Sequence, residues 1–120
     1  MHPPPSSTVL FSRLMAKARL RHLQLLVAVA DEGNLKRAAA DVGLSQPAAT
    51  QALAELELLL ELRLFERHSK GMRLSASGCV VLPVIRNVMQ ALQAATESLA
   101  ALQAGASGLL SLAVITPRRS

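Results

Sequence analysis

The chain has 120 residues, of which 51% are apolar and 2% aromatic, and its net charge is +5. The length allows one small domain with an appendage, the abundance of Ala and Leu favours a mainly helical fold, and the positive charge indicates a polyanionic partner. Because Cys79 is the only cysteine, the composition excludes an intramolecular disulfide and a multi-cysteine zinc site, and it fits a reducing, cytoplasmic setting.

The first 18 residues contain a Pro triplet and no acidic residue. Their apolar stretch is too short for a signal sequence. We therefore interpret residues 1–18 as a disordered N-terminal tail, or as the product of an early start codon with Met15 as an alternative start.

Two helices are predicted next. An apolar stripe at helical spacing defines the first one, with Leu23, Leu26, Val27 and Ala30 on the inward face. Gly33 is suited to end it, because glycine is the usual residue just past a helix C-terminus. Asn34 can then cap a short second helix, which Gly43 ends with a tight turn.

A third helix is expected from Ser45 to about Leu60, with Ser45 as its cap and Pro47 in its first turn. Its outward face is uncharged and consists of Gln46, Pro47, Thr50, Gln51 and Ala54. A bracing helix, a glycine-containing turn and a second helix with a polar face are typical of a helix-turn-helix, whose second helix reads the major groove. The alternative is an ordinary three-helix core with a solvated polar face.

Residues 62–74 break the helical rhythm and predict a two-stranded hairpin. Arg67, Lys70 and Arg73 lie three residues apart, so we expect them to cluster around its tip. Such a wing reaches phosphates or the adjacent minor groove. The alternative is a solvated charged loop. Ser75 or Ser77 is suited to cap the helix that follows.

The last helix is predicted to be the longest, over about residues 78–104. Apolar residues recur there in alternating steps of four and three, at Val81, Ile85, Val88, Leu92, Ala95, Leu99 and Leu102. This heptad seam requires a partner helix and predicts dimerisation. Residues 105–120 are interpreted as a hinge and a strand, at residues 109–116, that begins a second domain absent from this chain. No uninterrupted apolar run approaches the roughly 20 residues that span a bilayer.

Other candidate sites are weak. His22 and His68 are expected to be surface imidazoles, Glu57 and Glu61 a solvated acidic stripe, and Cys79 a buried small residue. We find no metal-binding spacing, nucleophile motif or phosphate-binding glycine loop, and so predict no catalytic residue, metal or cofactor.

Several of these segments together resemble the LysR-type transcriptional regulators over about residues 19–116. The matching residues are Ala38-Ala39, Leu44-Ser45-Gln46-Pro47-Ala48, Leu56-Glu57, Leu64-Phe65-Glu66-Arg67 and Gly71-Met72-Arg73-Leu74. The resemblance implies a winged helix-turn-helix over residues 19–77 and a linker helix that dimerises over residues 78–104.

The resemblance also implies a function. It predicts sequence-specific binding of double-stranded DNA at interrupted palindromes in promoters, by a dimer or tetramer. A small-molecule inducer would act only in a full-length protein with an effector-binding domain. The implied DNA contacts are Gln46, Pro47, Thr50 and Gln51 from the third helix and Arg67, Lys70 and Arg73 from the wing. Ser45, the cap of the third helix, is a further candidate for DNA binding.

Two competing functions remain. A pure interaction module would use the seam helix to dock a partner and the helix-turn-helix as a scaffold, and it predicts no binding to duplex DNA at moderate salt. An enzyme predicts a cleft with perturbed titratable groups, and the sequence contains no such constellation.

Overall fold

The structure, a computed structural model, describes residues 3–105 and divides the chain into two units, residues 1–86 and 87–120. The elements in these residues are α1 (Ser7–Lys17), α2 (Leu20–Glu32), α3 (Leu35–Val42), α4 (Gln46–Leu60), β1 (Phe65–His68), β2 (Gly71–Leu74) and α5 (Ala76–Ala104). The predicted fold, a mainly helical winged helix-turn-helix followed by a long helix, is confirmed. The strand expected at residues 109–116 lies outside the described residues.

The boundaries of α2, α3 and α4 follow from local capping. Asn34 accepts a hydrogen bond from the Arg37 amide at 2.9 Å, and Ser45 accepts one from the Ala48 amide at 3.2 Å. Gly43 ends α3 with φ of 76°, a left-handed conformation that glycine adopts without a steric penalty. These short-range signals confirm the predicted helix-turn-helix boundaries.

One hydrophobic core joins α2, α3, α4 and the hairpin. Its largest fully buried side chains are Leu25, Leu26, Val29, Leu56 and Leu64. The inward face of α2 is therefore shifted by about one residue from the predicted stripe, whose other members are only partly buried. The run from residue 23 to residue 30 is almost wholly apolar, so its periodicity did not determine which side faces inward.

The hairpin pairs β1 and β2 in antiparallel register, from Phe65 opposite Leu74 to His68 opposite Gly71. Phe65 is buried and anchors its base. The tip is held near α2, because the Met72 amide donates to the carbonyl oxygen of Gly33 at 3.0 Å. A Cβ at Gly71 would lie 2.2 Å from that same oxygen, so this close approach requires glycine.

Helix α1 corrects the prediction of a disordered tail. Ser6 caps it, and Leu14 packs against the core. The Arg13 guanidinium donates to the carbonyl oxygen of Leu59 at 3.2 Å and to Glu61 Oε2 at 2.7 Å. The segment is ordered by contacts with residues 46 and 48 positions away, which no local pattern reveals.

Helix α5 begins two residues earlier than predicted, with Ser75 accepting from the Gly78 amide at 3.0 Å. Leu82 is buried, and Arg86 binds Asp31 with an N–O distance of 2.9 Å. Cys79 is exposed, so the expectation of a buried cysteine was wrong.

By length and composition alone, α5 could also cross a membrane, contrary to the expectation from uninterrupted apolar runs. Length and composition are weak evidence, since the core helix of a soluble protein also meets both criteria. Two features of α5 argue against a span: Leu82 lies in the winged domain's core, and Arg86 and Glu97 carry charges.

Candidate nucleic-acid interface

The exposed face of α4 carries the side chains that the sequence singled out. Gln46, Pro47, Thr50 and Gln51 are all exposed. The Thr50 hydroxyl donates to the Gln46 carbonyl oxygen at 3.0 Å. Ser45 is also exposed, but its hydroxyl caps the helix. This face offers donors, acceptors and a methyl group without a charge in its first two turns.

A concavity of about 310 Å³ lies on the wing side of α4. Gln46 lines it together with Lys36, Arg67, His68 and Lys70. A smaller cavity of about 120 Å³, between α4 and the hairpin, is lined by Thr50, Arg63 and Arg67 among others. Cationic side chains thus flank the polar face on this side, a setting suited to phosphate groups.

The wing does not bring its three predicted cations together. Arg67 and Lys70 line the concavity beside α4, whereas Arg73 lies opposite Glu66 in the hairpin register. Since side chains alternate along a strand, Arg73 points to the other face of the hairpin from Arg67, which lies opposite Met72. The spacing of three residues between these cations in the sequence does not show which face of the hairpin each of them occupies.

A second concavity, of about 500 Å³, lies on the opposite side of α4. Arg19 and Arg21 line it together with Gln51 and Glu55. The Arg21 guanidinium also donates to the carbonyl oxygen of Val42 at 3.1 Å, which ties α2 to the end of α3. Sequence reasoning did not select either arginine as a site residue, although both belong to the acid-free first 30 residues.

A chain of polar contacts underlies this second concavity. The Arg19 amide donates to His22 Nδ1 at 3.0 Å, His22 Nε2 lies 3.3 Å from Glu55 Oε1, and the Gln51 amide nitrogen lies 3.4 Å from Glu55 Oε2. His22 is only 7% exposed, so the expectation of a surface imidazole was wrong. His68 is exposed, as expected.

The predicted acidic stripe at Glu57 and Glu61 also has structural partners. Glu57 Oε2 accepts from the Leu64 amide at 2.6 Å and from the Phe65 amide at 3.2 Å, so it fixes the start of the hairpin. Glu61 binds Arg13 and adopts φ of 56° at the end of α4. Neither carboxylate is merely solvated.

Two carboxyl groups lie together beside the helix-turn-helix. The pKa of Glu32 is raised because Asp41 hydrogen-bonds to it and because the two negative charges repel. Elsewhere, Asp31 raises the pKa of Arg86 through a hydrogen bond and its opposite charge. Within residues 3–105 no group of three or more metal-binding side chains occurs.

The heptad seam of α5 divides between the two units. In the first unit, Val81 and Ile85 are partly buried against the core. In the second unit, Val88 and Leu92 are each 40% exposed, Leu99 is 58% exposed and Ala95 is exposed, while Leu102 is half-buried. An apolar row of this kind is suited to packing against another helix.

Comparison with known proteins identifies relatives of this fold and sequence. A family model described as bacterial regulatory helix-turn-helix protein, lysR family, matches residues 20–79, half of the chain. The HTH-type transcriptional regulator GbpR of Azospirillum brasilense is 43% identical over 102 residues, which are 85% of this chain and 30% of GbpR. This chain therefore spans less than a third of that relative.

Solved structures match the same region. The CbnR DNA-binding domain, in a complex with DNA, is 34% identical with a TM-score of 0.61, over 69% of this chain and 97% of that one. The BenM DNA-binding domain, in a complex with catB site 1 DNA, has a TM-score of 0.66 over 75% of this chain and 97% of that one. At 23% identity, BenM supports the fold alone.

Proposed function

This chain belongs to the LysR family of bacterial regulatory helix-turn-helix proteins, and on that premise we propose that it binds double-stranded DNA sequence-specifically to regulate transcription. The observation that carries the proposal is the uncharged polar face of α4, flanked on both sides by concavities that basic side chains line. The complex of the CbnR DNA-binding domain with DNA supports it further.

In this proposal α4 enters the major groove. Gln46 and Gln51 are long enough to reach base edges and can both donate and accept hydrogen bonds. Thr50 offers a methyl group to thymine, or its hydroxyl to a phosphate if that hydroxyl turns away from the Gln46 carbonyl oxygen. Ser45 and Pro47 lie at the α4 N-terminus, where the positive end of the helix dipole favours a phosphate, although the Ser45 hydroxyl already binds the Ala48 amide. No catalytic step, metal or cofactor is part of this function.

The basic side chains of the two concavities would lie along the two sugar-phosphate backbones that border the groove. Arg67 and Lys70 would bind one backbone from the wing, and Arg19 and Arg21 the other. Arg73, on the other face of the hairpin, would contact DNA only at the outer edge of the wing. These charge contacts supply affinity without sequence information.

Dimerisation through α5 would give the complex its two-fold symmetry. The apolar row from Val88 to Leu102, exposed except at Leu102, supports a homodimer, and the family resemblance favours assembly into dimers or tetramers. Two recognition helices in one assembly would read an interrupted palindrome in a promoter. We further propose a cytoplasmic location, where bacterial DNA lies, and an inducer that acts only through a full-length regulator's effector domain.

The test is enrichment of random-sequence duplex DNA by the full chain, repeated over a range of salt concentrations. We expect a palindromic site, with an affinity that falls steeply with salt because roughly 6–10 phosphate contacts release counterions. Steep salt dependence without an enriched site would contradict sequence-specific binding. No binding even at low salt would favour the interaction module instead.

A further inference from the structure

The polar chain beneath α4 fixes which way the Gln51 amide points. The backbone N–H of Arg19 can only donate, and it lies 3.0 Å from His22 Nδ1. That ring nitrogen is therefore the acceptor, and the neutral imidazole carries its proton on Nε2. Nε2 faces Glu55 Oε1 at 3.3 Å and donates to it. His22 is almost fully buried, which holds the ring in this position.

The carboxylate of Glu55 in turn determines which group of the Gln51 amide faces it. A carboxylate accepts hydrogen bonds and donates none. The group of Gln51 that lies 3.4 Å from Glu55 Oε2 must therefore be its NH2 and not its carbonyl oxygen. One N–H of that amide is used, so Gln51 has its carbonyl oxygen and its second N–H left for a ligand. Both residues are exposed and line the same concavity.

We propose that Glu55 is a positioning residue that makes Gln51 select adenine over guanine. This inference rests on the proposed function, in which α4 lies in the major groove. Adenine offers an amino donor at N6 beside an acceptor at N7, which match the free carbonyl oxygen and N–H of Gln51. Guanine offers two acceptors, O6 and N7, so the fixed carbonyl oxygen of Gln51 would face O6 without a hydrogen bond.

The variant Glu55→Gln gives the sharpest test, because it reverses the direction of the polar chain. His22 Nε2 still donates, so residue 55 must turn its single carbonyl oxygen toward His22. Its new NH2 then faces Gln51, which presents its own carbonyl oxygen to residue 55 and its NH2 to DNA. An outward NH2 suits the acceptors of guanine. The base preference should therefore move from adenine toward guanine.

The experiment compares the sites that the 120-residue chain and its variants enrich from random duplex DNA. We expect Gln51→Ala to lose preference at one position in each half-site, and Glu55→Gln to change that same position. At that position the ratio of adenine to guanine should fall roughly 5- to 150-fold, which is the discrimination that one bidentate base contact provides. A change of affinity that is equal for all sequences would reflect only the lost charge and would overturn the assignment.

Glu97→Gln is the matched control. Gln93 and Glu97 form the same contact four residues apart on α5, also with an N–O distance of 3.4 Å. This substitution removes the same charge from the same local pair and should leave every base preference unchanged. An unchanged preference in Glu55→Gln as well, in a variant whose thermal melt shows a folded protein, would overturn the proposal.

Nitrogen NMR of the free protein provides a second measurement that needs neither DNA nor a variant. We expect His22 to be the tautomer with its proton on Nε2. A proton on Nδ1 would contradict the polar chain and overturn the assignment. If the unsubstituted chain enriches no site while His22 has the expected tautomer, the proposed function fails, and the selection of adenine fails with it.

Discussion

Gln51 and Arg67 lie on parts of the proposed interface that contribute in different ways. Gln51 is an exposed, uncharged amide on α4 and is suited to a base edge, whereas Arg67 is a cation beside the wing and is suited to a phosphate. We expect Gln51→Ala to relax base preference at one position per half-site, at a cost of about 1–3 kcal/mol for the preferred base. Arg67→Ala should weaken all sequences about equally and reduce the salt slope by about 1. Binding titrations over several salt concentrations check both, and a uniform loss in both variants would contradict this division.

Glu57 is the residue whose role differs most from its sequence-based interpretation. Its carboxylate accepts the amides of Leu64 and Phe65, so Glu57→Ala leaves two partly buried N–H groups without partners. We expect a loss of about 2–3 kcal/mol in the free energy of unfolding, measured by urea denaturation, and a smaller loss for Glu57→Gln, which keeps one acceptor. Glu97→Ala removes an equal charge and should change stability by less than about 0.5 kcal/mol. Equal losses in Glu57→Ala and Glu97→Ala would mean that Glu57 does not hold the hairpin.

The carboxyl pair of Glu32 and Asp41 makes stability depend on pH. The pKa of Glu32 is raised in the folded protein, so the folded state binds the shared proton more tightly than the unfolded state does. This contribution is present in acid and is lost as the pH rises through the raised pKa, after which the two charges repel. Asp41→Asn should therefore increase the Tm at pH 7, with an increase that shrinks as the pH falls through the raised pKa of Glu32 and is lost by about pH 4.5, the ordinary pKa of a glutamate side chain. Asp31→Asn is the control, because it removes the ion-pair partner of Arg86 and should lower the Tm at pH 7. A lower Tm for Asp41→Asn at pH 7 would contradict the repulsion between Glu32 and Asp41.

Among the elements, α2, α3, α4 and the hairpin could be predicted because their signals are local. Asn34, Gly43 and Ser45 mark helix ends through hydrogen bonds or backbone conformations that span only a few residues. The contacts of α1 and of the buried His22 are long-range, and an uninterrupted apolar run hides which face of α2 is inward. For the proposed interface, the sequence identified the face of α4 and two wing cations, but the polar chain through Glu55 depends on how α2 packs against α4.

Helix α1 is expected to contribute to stability without being required for folding. It adds the partly buried Leu14 and the Arg13 contacts, while the largest core side chains belong to α2, α4 and the start of the hairpin. Deletion of residues 1–17 should lower the free energy of unfolding by about 1–3 kcal/mol and leave a cooperative transition, since one leucine side chain and one ion pair are lost. Limited trypsin digestion gives an independent check. Cleavage after Arg13 should be slow in the intact chain and should become faster in Leu14→Ala, and rapid cleavage in both would restore the interpretation of a disordered tail.

At the scale of the whole molecule, the proposed function depends on assembly as much as on the helix-turn-helix. A single recognition helix contacts only a few base pairs, so high specificity requires two copies held at a fixed spacing. The exposed apolar side chains between residues 88 and 102 lie on the part of α5 that has no core to cover it within residues 87–105. A substitution that disrupts the seam is therefore expected to abolish dimerisation and sequence-specific binding together.

Leu92→Glu tests this link between assembly and binding. Leu92 lies near the middle of the seam, so a carboxylate there would be buried against the partner helix, at a cost that should weaken the dimer at least about 100-fold. Sedimentation equilibrium should show a monomer for Leu92→Glu at concentrations where we expect the unsubstituted chain to be a dimer. Leu58→Glu is the matched control, since Leu58 is 76% exposed and belongs to α4 and not to the seam of α5.

If Leu92→Glu remained dimeric, the contact between copies would lie elsewhere. If it became monomeric but still enriched the full palindrome, the two half-sites would be read without the help of α5. Loss of the palindrome with retention of weak, salt-sensitive binding is the expected outcome, because each winged domain would keep its own phosphate contacts.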